Sequence, residues 1–136
     1  MNKCKVFLVS IILILSACST QERALEVSSS FVGTFNGGNP SRSCGAMWWE
    51  IIRHQEGTYK ISFFKDSERK QYDFSEQGKW WVKNGYYYAI APKYMVEPDV
   101  YSVKVLSEYQ IQFTSSKYDE SAKCKDNYRF IDHKVR

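Results

Sequence analysis

The 136-residue chain has three prolines, seven glycines, two histidines and four cysteines, and it lacks any apolar run long enough to cross a bilayer as a helix. His54 and His133 are isolated from each other and from the cysteines, so the close Cys/His spacing of a zinc site is missing. Also missing are a Gly-x-Ser-x-Gly elbow, a His-Glu-x-x-His pair and a phosphate-binding glycine loop, and with them the enzyme classes those motifs serve. Glu50 and Glu76 can be drawn as an acid/base pair, but 15 carboxylates supply such pairs by chance. His54, beside a turn signal, reads as a solvated polar residue. The expectation is a non-enzymatic protein without metal or cofactor. An excess of either sign is missing as well: 19 basic against 15 acidic residues leaves +4, too little for a dedicated nucleic-acid binder with its concentrated basic face.

The first twenty residues give an address. Asn2-Lys3-Cys4-Lys5 is a short cationic stretch, and Val6 to Leu15 is an apolar run of signal-peptide length. The run ends in Leu15-Ser16-Ala17-Cys18, which resembles the lipobox of bacterial lipoproteins. The resemblance implies cleavage before Cys18, diacylation of its thiol and acylation of the new amino group, so that the membrane itself becomes a partner. Several acyl chains, at roughly 0.8 kcal/mol per buried methylene, make attachment practically permanent. Ser19 stands where an Asp would favour inner-membrane retention, so the family's sorting rule implies an outer-membrane anchor facing the periplasm. Removing residues 1–17 leaves 119 residues, and losing Lys3 and Lys5 brings the basic count from 19 to 17 and the balance to about +2.

The remaining cysteines fit an exported chain. Cys4 leaves with the signal and Cys18 carries lipid, so Cys44 and Cys124 are left in an oxidising compartment, where two can pair without a remainder. Such a bridge closes a loop of about 80 residues and contributes roughly 4–5 kcal/mol on the chain-entropy model. A metal site and a reactive thiol are the rival readings.

Residues 18–30 end in a serine run without strand alternation and read as a lipidated tether; at about 3.3 Å per residue it reaches roughly 40 Å. From 31 to 136 the pattern becomes short period-two runs with turn signals about every ten residues, the pattern of a single all-β domain. Nine candidate strands are Phe31–Phe35, Ala46–His54, Thr58–Phe64, Gln71–Ser75, Lys79–Asn84, Tyr86–Ala91, Val100–Leu106, Tyr109–Ser115 and Asn127–Asp132. The expected fold is an antiparallel meander of eight or nine strands forming a closed or nearly closed barrel, stapled by one disulfide.

Turn chemistry fixes the register. Gln55-Glu56-Gly57 and Glu76-Gln77-Gly78 read as three-residue hairpin loops with a left-handed glycine, and Asn84-Gly85 as a two-residue type I′ turn. These turns set Trp49 opposite Phe63, Ile51 opposite Ile61, Phe74 opposite Trp80, Tyr72 opposite Val82, Val82 opposite Tyr87 and Trp80 opposite Ala89. The inward set is then Tyr72, Phe74, Trp80, Val82, Tyr87 and Ala89. A three-residue loop near Ser107-Glu108 matches Tyr101, Val103 and Val105 with Tyr109, Ile111 and Phe113. Lys65 to Lys70, a mixed-charge run, reads as an exposed loop.

The same register leaves Lys79, Trp81, Lys83, Tyr86 and Tyr88 on the outer face, with Trp81 across from Tyr88. Flat rings stack on sugars or peptides and lysines meet anionic groups, so this patch is a candidate binding surface. Rings covered by loops, or stabilising only their cross-strand neighbours under lysine stems, would give the same pattern. Phe31-Val32-Gly33-Thr34-Phe35 resembles the Gly-x-Trp opening of lipocalin-like proteins, with Phe35 in place of the tryptophan. Gly57-Thr58-Tyr59, Gly78-Lys79-Trp80 and Tyr101-Ser102-Val103 add to a likeness that runs from Phe31 to about Phe113. An eight-stranded barrel is filled by side chains or holds one small ligand. Trp49, Phe63, Phe74, Trp80 and Tyr87 pointing inward favour filling. The functional expectation is therefore an envelope binding protein that recognises a protein, a cell-wall glycan, or a toxin or hydrolase it neutralises, through the outer patch. The alternative is a lipocalin-like carrier or sensor of a small apolar ligand inside the barrel.

Overall fold

The alternating pattern folds into a closed eight-stranded antiparallel barrel in the computed structural model, which describes residues 29–40, 45–116 and 128–136. The strands are β1 (Gly33–Asn39), β2 (Met47–Arg53), β3 (Thr58–Phe64), β4 (Tyr72–Lys83), β5 (Tyr86–Ile90), β6 (Asp99–Ser107), β7 (Gln110–Ser115) and β8 (Arg129–Lys134). Each pairs with its successor, and β8 returns to β1 through Phe35 opposite Lys134 and Asn36 opposite His133. Closure removes the free sheet edges that an open meander would present. Cys4, Cys18, Cys44 and Cys124 lie outside the described residues, as do residues 1–28 of the signal and tether and Asn127 of the last expected strand.

Two of the expected turns form. Gly57 sits at φ +84°, its amide donates to His54 O at 3.0 Å, and Trp49 faces Phe63 and Ile51 faces Ile61. Asn84 and Gly85 have φ of 52° and 77°, both left-handed as a type I′ turn requires, and Val82 faces Tyr87 and Trp80 faces Ala89.

The third turn is corrected. Glu76-Gln77-Gly78 is no loop: β4 runs unbroken for 12 residues, pairing Ile61 with Glu76, Lys60 with Gln77 and Tyr59 with Gly78. The glycine serves close approach rather than a turn, since a Cβ at Gly78 would overlap Ile90 O and crowd the Tyr59 ring. Phe74 and Trp80 therefore share one strand, as do Tyr72 and Val82, and neither pair is cross-strand. A bulge between the Ser62–Ser75 and Phe64–Tyr72 pairs also turns Tyr72 outward, 59% exposed, with its ring edge-on to Phe64.

The β6–β7 connection keeps its expected parity by another route. Glu108-Tyr109 is a two-residue turn, and a bulge between Val105 and Ser107 supplies the odd residue, so Val105 meets Ile111 and Val103 meets Phe113. Tyr109 consequently sits in the turn rather than the interior. Phe31 is not a strand residue either: it precedes β1 in a turn where Val32 N donates to Ser29 O at 3.1 Å. In the 65–70 loop, Asp66 accepts backbone amides of Glu68, Lys70 and Gln71, which hold its carboxyl below the usual range. Arg69 instead turns back to donate to Trp49 O at 3.1 Å and Gly37 O at 3.0 Å.

Packing divides the barrel into two halves. At the end where β1 begins, Phe31, Phe35, Trp80, Tyr87, Ile111 and Phe113 are all buried. At the other end the inward side chains Met47, Phe63, Ala89, Tyr101 and Phe130 are partly exposed. Among the described residues the barrel is filled at one end and open at the other.

Candidate functional site

Phe31 closes the filled end. Its ring stacks on Tyr87 at 5.7 Å, tilts against Trp80 at 6.2 Å and meets Phe113 edge-on at 6.1 Å. Directly inside lies a charged pair that the strand alternation carries into the core: Arg53 continues the inward series Trp49, Ile51, and Asp132 points inward from β8. Arg53 Nη2 donates to Asp132 Oδ2 at 2.6 Å, Arg53 Nε donates to Tyr87 Oη at 2.9 Å, and Trp49 Nε1 donates to Asp132 Oδ1 at 2.9 Å. The guanidinium carbon is 5.0–5.2 Å from the ring centroids of Phe35, Tyr87 and Phe113, a cation–π enclosure. Burial works against the Arg53 charge, but Tyr87 and Asp132 outweigh it and raise its pKa. Arg53 Nη1 has no acceptor among the described residues and lies against these rings. Gly37 makes room for the network, because a Cβ there would overlap the Trp49 indole and Asp132 Oδ1.

Between this floor and the open end is a cavity of about 230 Å³. Its lower wall is Arg53, Tyr59 and Tyr87, its middle Trp49, Ile61 and Glu76, and its rim Met47, Phe63, Asp99, Tyr101, Tyr128 and Phe130. Phe130 stands edge-on to Trp49 at 4.9 Å, and Phe63 stacks on Phe74 at 4.6 Å beside the opening, so the rings line the space instead of filling it. The polar groups are few and placed: Tyr59 Oη donates to Glu76 Oε1 at 3.4 Å and Tyr101 Oη to Asp99 Oδ2 at 3.5 Å. Burial, the largest cause, pushes the Glu76 carboxyl up; the Tyr59 hydrogen bond opposes this and the Asp99 charge adds to it. Burial likewise raises Tyr101 and Tyr128.

The outward patch assembles as the turns dictate. Lys79 pairs with Ile90, Trp81 with Tyr88 and Lys83 with Tyr86. The Trp81 and Tyr88 rings are parallel within 2° at 5.2 Å, and Trp81 and Tyr86 are 39% and 41% exposed. Glu50, paired with Ser62 on the outer face, is separated by the barrel wall from inward Glu76, and His54 is exposed beside its hairpin. Among the described residues no group of three His, Cys, Asp or Glu side chains gathers to hold a metal.

Sequence reasoning missed Phe31, Arg53, Asp132 and Glu76. A signal existed for two of them: in the period-two register, opposite charges at Arg53 and Asp132 fall on inward positions, where a charge needs a partner. No protein-family model, curated protein or solved structure matches this chain, so the functional argument rests on the site.

Proposed function

We propose that this protein is a lipid-anchored, non-enzymatic binding protein of the bacterial envelope whose barrel holds one small organic guest. The observation that carries the reading is the cavity of about 230 Å³, closed below by Phe31 and the Arg53–Asp132 pair, lined with rings and, among the described residues, open at one end. A mostly apolar pocket with a few placed polar groups is the form of a small-molecule site. An engineered cavity of about 150 Å³ holds benzene, so this one suits a guest of about one ring with a short arm.

Ala89 lines the cavity and offers a direct test. Ala89→Leu and Ala89→Phe are expected to reduce and then abolish guest binding while the far-ultraviolet dichroism stays that of the wild type. Native mass spectrometry of gently extracted protein reads the guest as added mass. If the wild type carries no guest and takes up no single-ring compound, the reading fails. The anchor has its own test: Cys18→Ser is expected to abolish palmitate labelling and release the protein from membranes, and persistent labelling would contradict the anchor.

The parallel Trp81–Tyr88 stack, half exposed between Lys79 and Lys83, favours a second reading in which the outer face of β4 and β5 binds an envelope partner. Replacing Trp81, Tyr86 and Tyr88 together by serine is expected to leave the barrel folded and to end partner capture from an envelope extract. Unchanged capture would remove this reading.

A further inference from the structure

Glu76 carries a carboxyl group into the barrel that no cation among the described residues pairs. It projects inward from the middle of β4, opposite Ile61, and lines the cavity. Its hydrogen-bond partner is the Tyr59 hydroxyl, and no lysine or arginine among the described residues pairs with it. Arg53, the cation among the described lining residues, spends Nη2 on Asp132 and Nε on Tyr87, its charge balanced by the Asp132 carboxylate. Asp99, which accepts from Tyr101 Oη, lines the same cavity near enough to Glu76 to raise its pKa further. A partly desolvated carboxylate without a cation is unfavourable, and burial already shows that strain in its raised pKa. The Tyr59 ring stands beside it, Tyr101 and Tyr128 line the same cavity, and aromatic faces attract positive charge.

We infer that the guest is a small organic cation, a protonated amine or quaternary ammonium group, with its charge beside Glu76 and against the Tyr59 and Tyr101 rings. The inference rests on the reading that the cavity holds a guest. Glu76 holds the charge of such a cation, and the apolar wall of Trp49, Ile61 and Phe63 receives its hydrocarbon part.

Three probes of one shape and different charge separate the two claims: benzylammonium, benzyl alcohol and benzoate, titrated calorimetrically into the full-length protein in detergent. Benzylammonium is expected to bind about tenfold or more tighter than benzyl alcohol, with benzoate weakest. Glu76→Gln is expected to bring benzylammonium to within about twofold of benzyl alcohol measured on the same variant. Benzyl alcohol or benzoate binding the wild type as tightly as benzylammonium overturns the cation inference and leaves the cavity reading standing. Binding of none of the three overturns both. The wild-type series decides the matter even where the Gln variant does not fold.

Discussion

Replacing Asp132 by alanine is expected to cost about 3–5 kcal/mol of folding stability, because the Arg53 guanidinium is then left buried without a counter-charge. Asp132 is fully buried and Arg53 is 3% exposed, so water cannot substitute for the lost carboxylate. The same change removes the acceptor of Trp49 Nε1 and leaves a second buried donor open. At about 4–8 °C per kcal/mol for a domain of this size, the melting temperature should fall by on the order of 15 °C or more. Asp132→Asn keeps an acceptor for Trp49 but sets an uncharged amide against Arg53, and is expected to fall in between. The pair itself need not be a large source of stability, since desolvation offsets most of its attraction. The double replacement Arg53→Met with Asp132→Leu should therefore recover much of what either single change loses. Urea unfolding followed by tryptophan fluorescence measures all three variants against the wild type. A loss below about 1 kcal/mol for Asp132→Ala would mean that the pair is not the sealed contact described above.

Phe31→Ala is expected to have an effect of similar size, about 3–5 kcal/mol, by the removal of a fully buried ring whose neighbours Trp80, Tyr87 and Phe113 belong to three different strands. These strands are fixed by their own ladders, so they cannot collapse onto the vacancy. The loss should be local in kind as well as large: it opens the filled end, and hydrogen exchange at the amides of Tyr87 and Phe113 should rise more than at those of β3. Phe31→Leu, which keeps an apolar plug, is expected to cost less. An alanine variant as stable as the wild type would show that the segment before β1 contributes nothing to closure.

How much of this could be read from the sequence depends on how local the cause is. Asn84-Gly85 and Gln55-Glu56-Gly57 specify backbone conformation within a few residues, and the alternation beside them fixes which side chains face inward, so those registers were legible. Gly78 was not, because a glycine marks either a turn or a close approach, and only the position of Ile90 O in the neighbouring strand decides between them. Tyr72 went astray with it, one bulge being enough to reverse a face. Partnership was harder than placement: Arg53 and Asp132 are 79 positions apart, and barrel closure brings them together. The outward patch was legible because two adjacent strands and one short turn define it. The cavity was not, because the same inward rings can fill a barrel or line it. Phe63 and Phe74 stack at the rim and leave the space between them and the floor open.

The chain enters the barrel at the end that Phe31 seals, and the opening lies at the opposite end. Were Cys18 acylated as proposed, eleven residues before Ser29, the anchor would join the chain on the sealed side and the mouth would lie at the far end. A guest would then be exchanged with the aqueous space of the envelope and not drawn sideways out of the lipid. A protein so held would sample what passes through that space from a position on its wall.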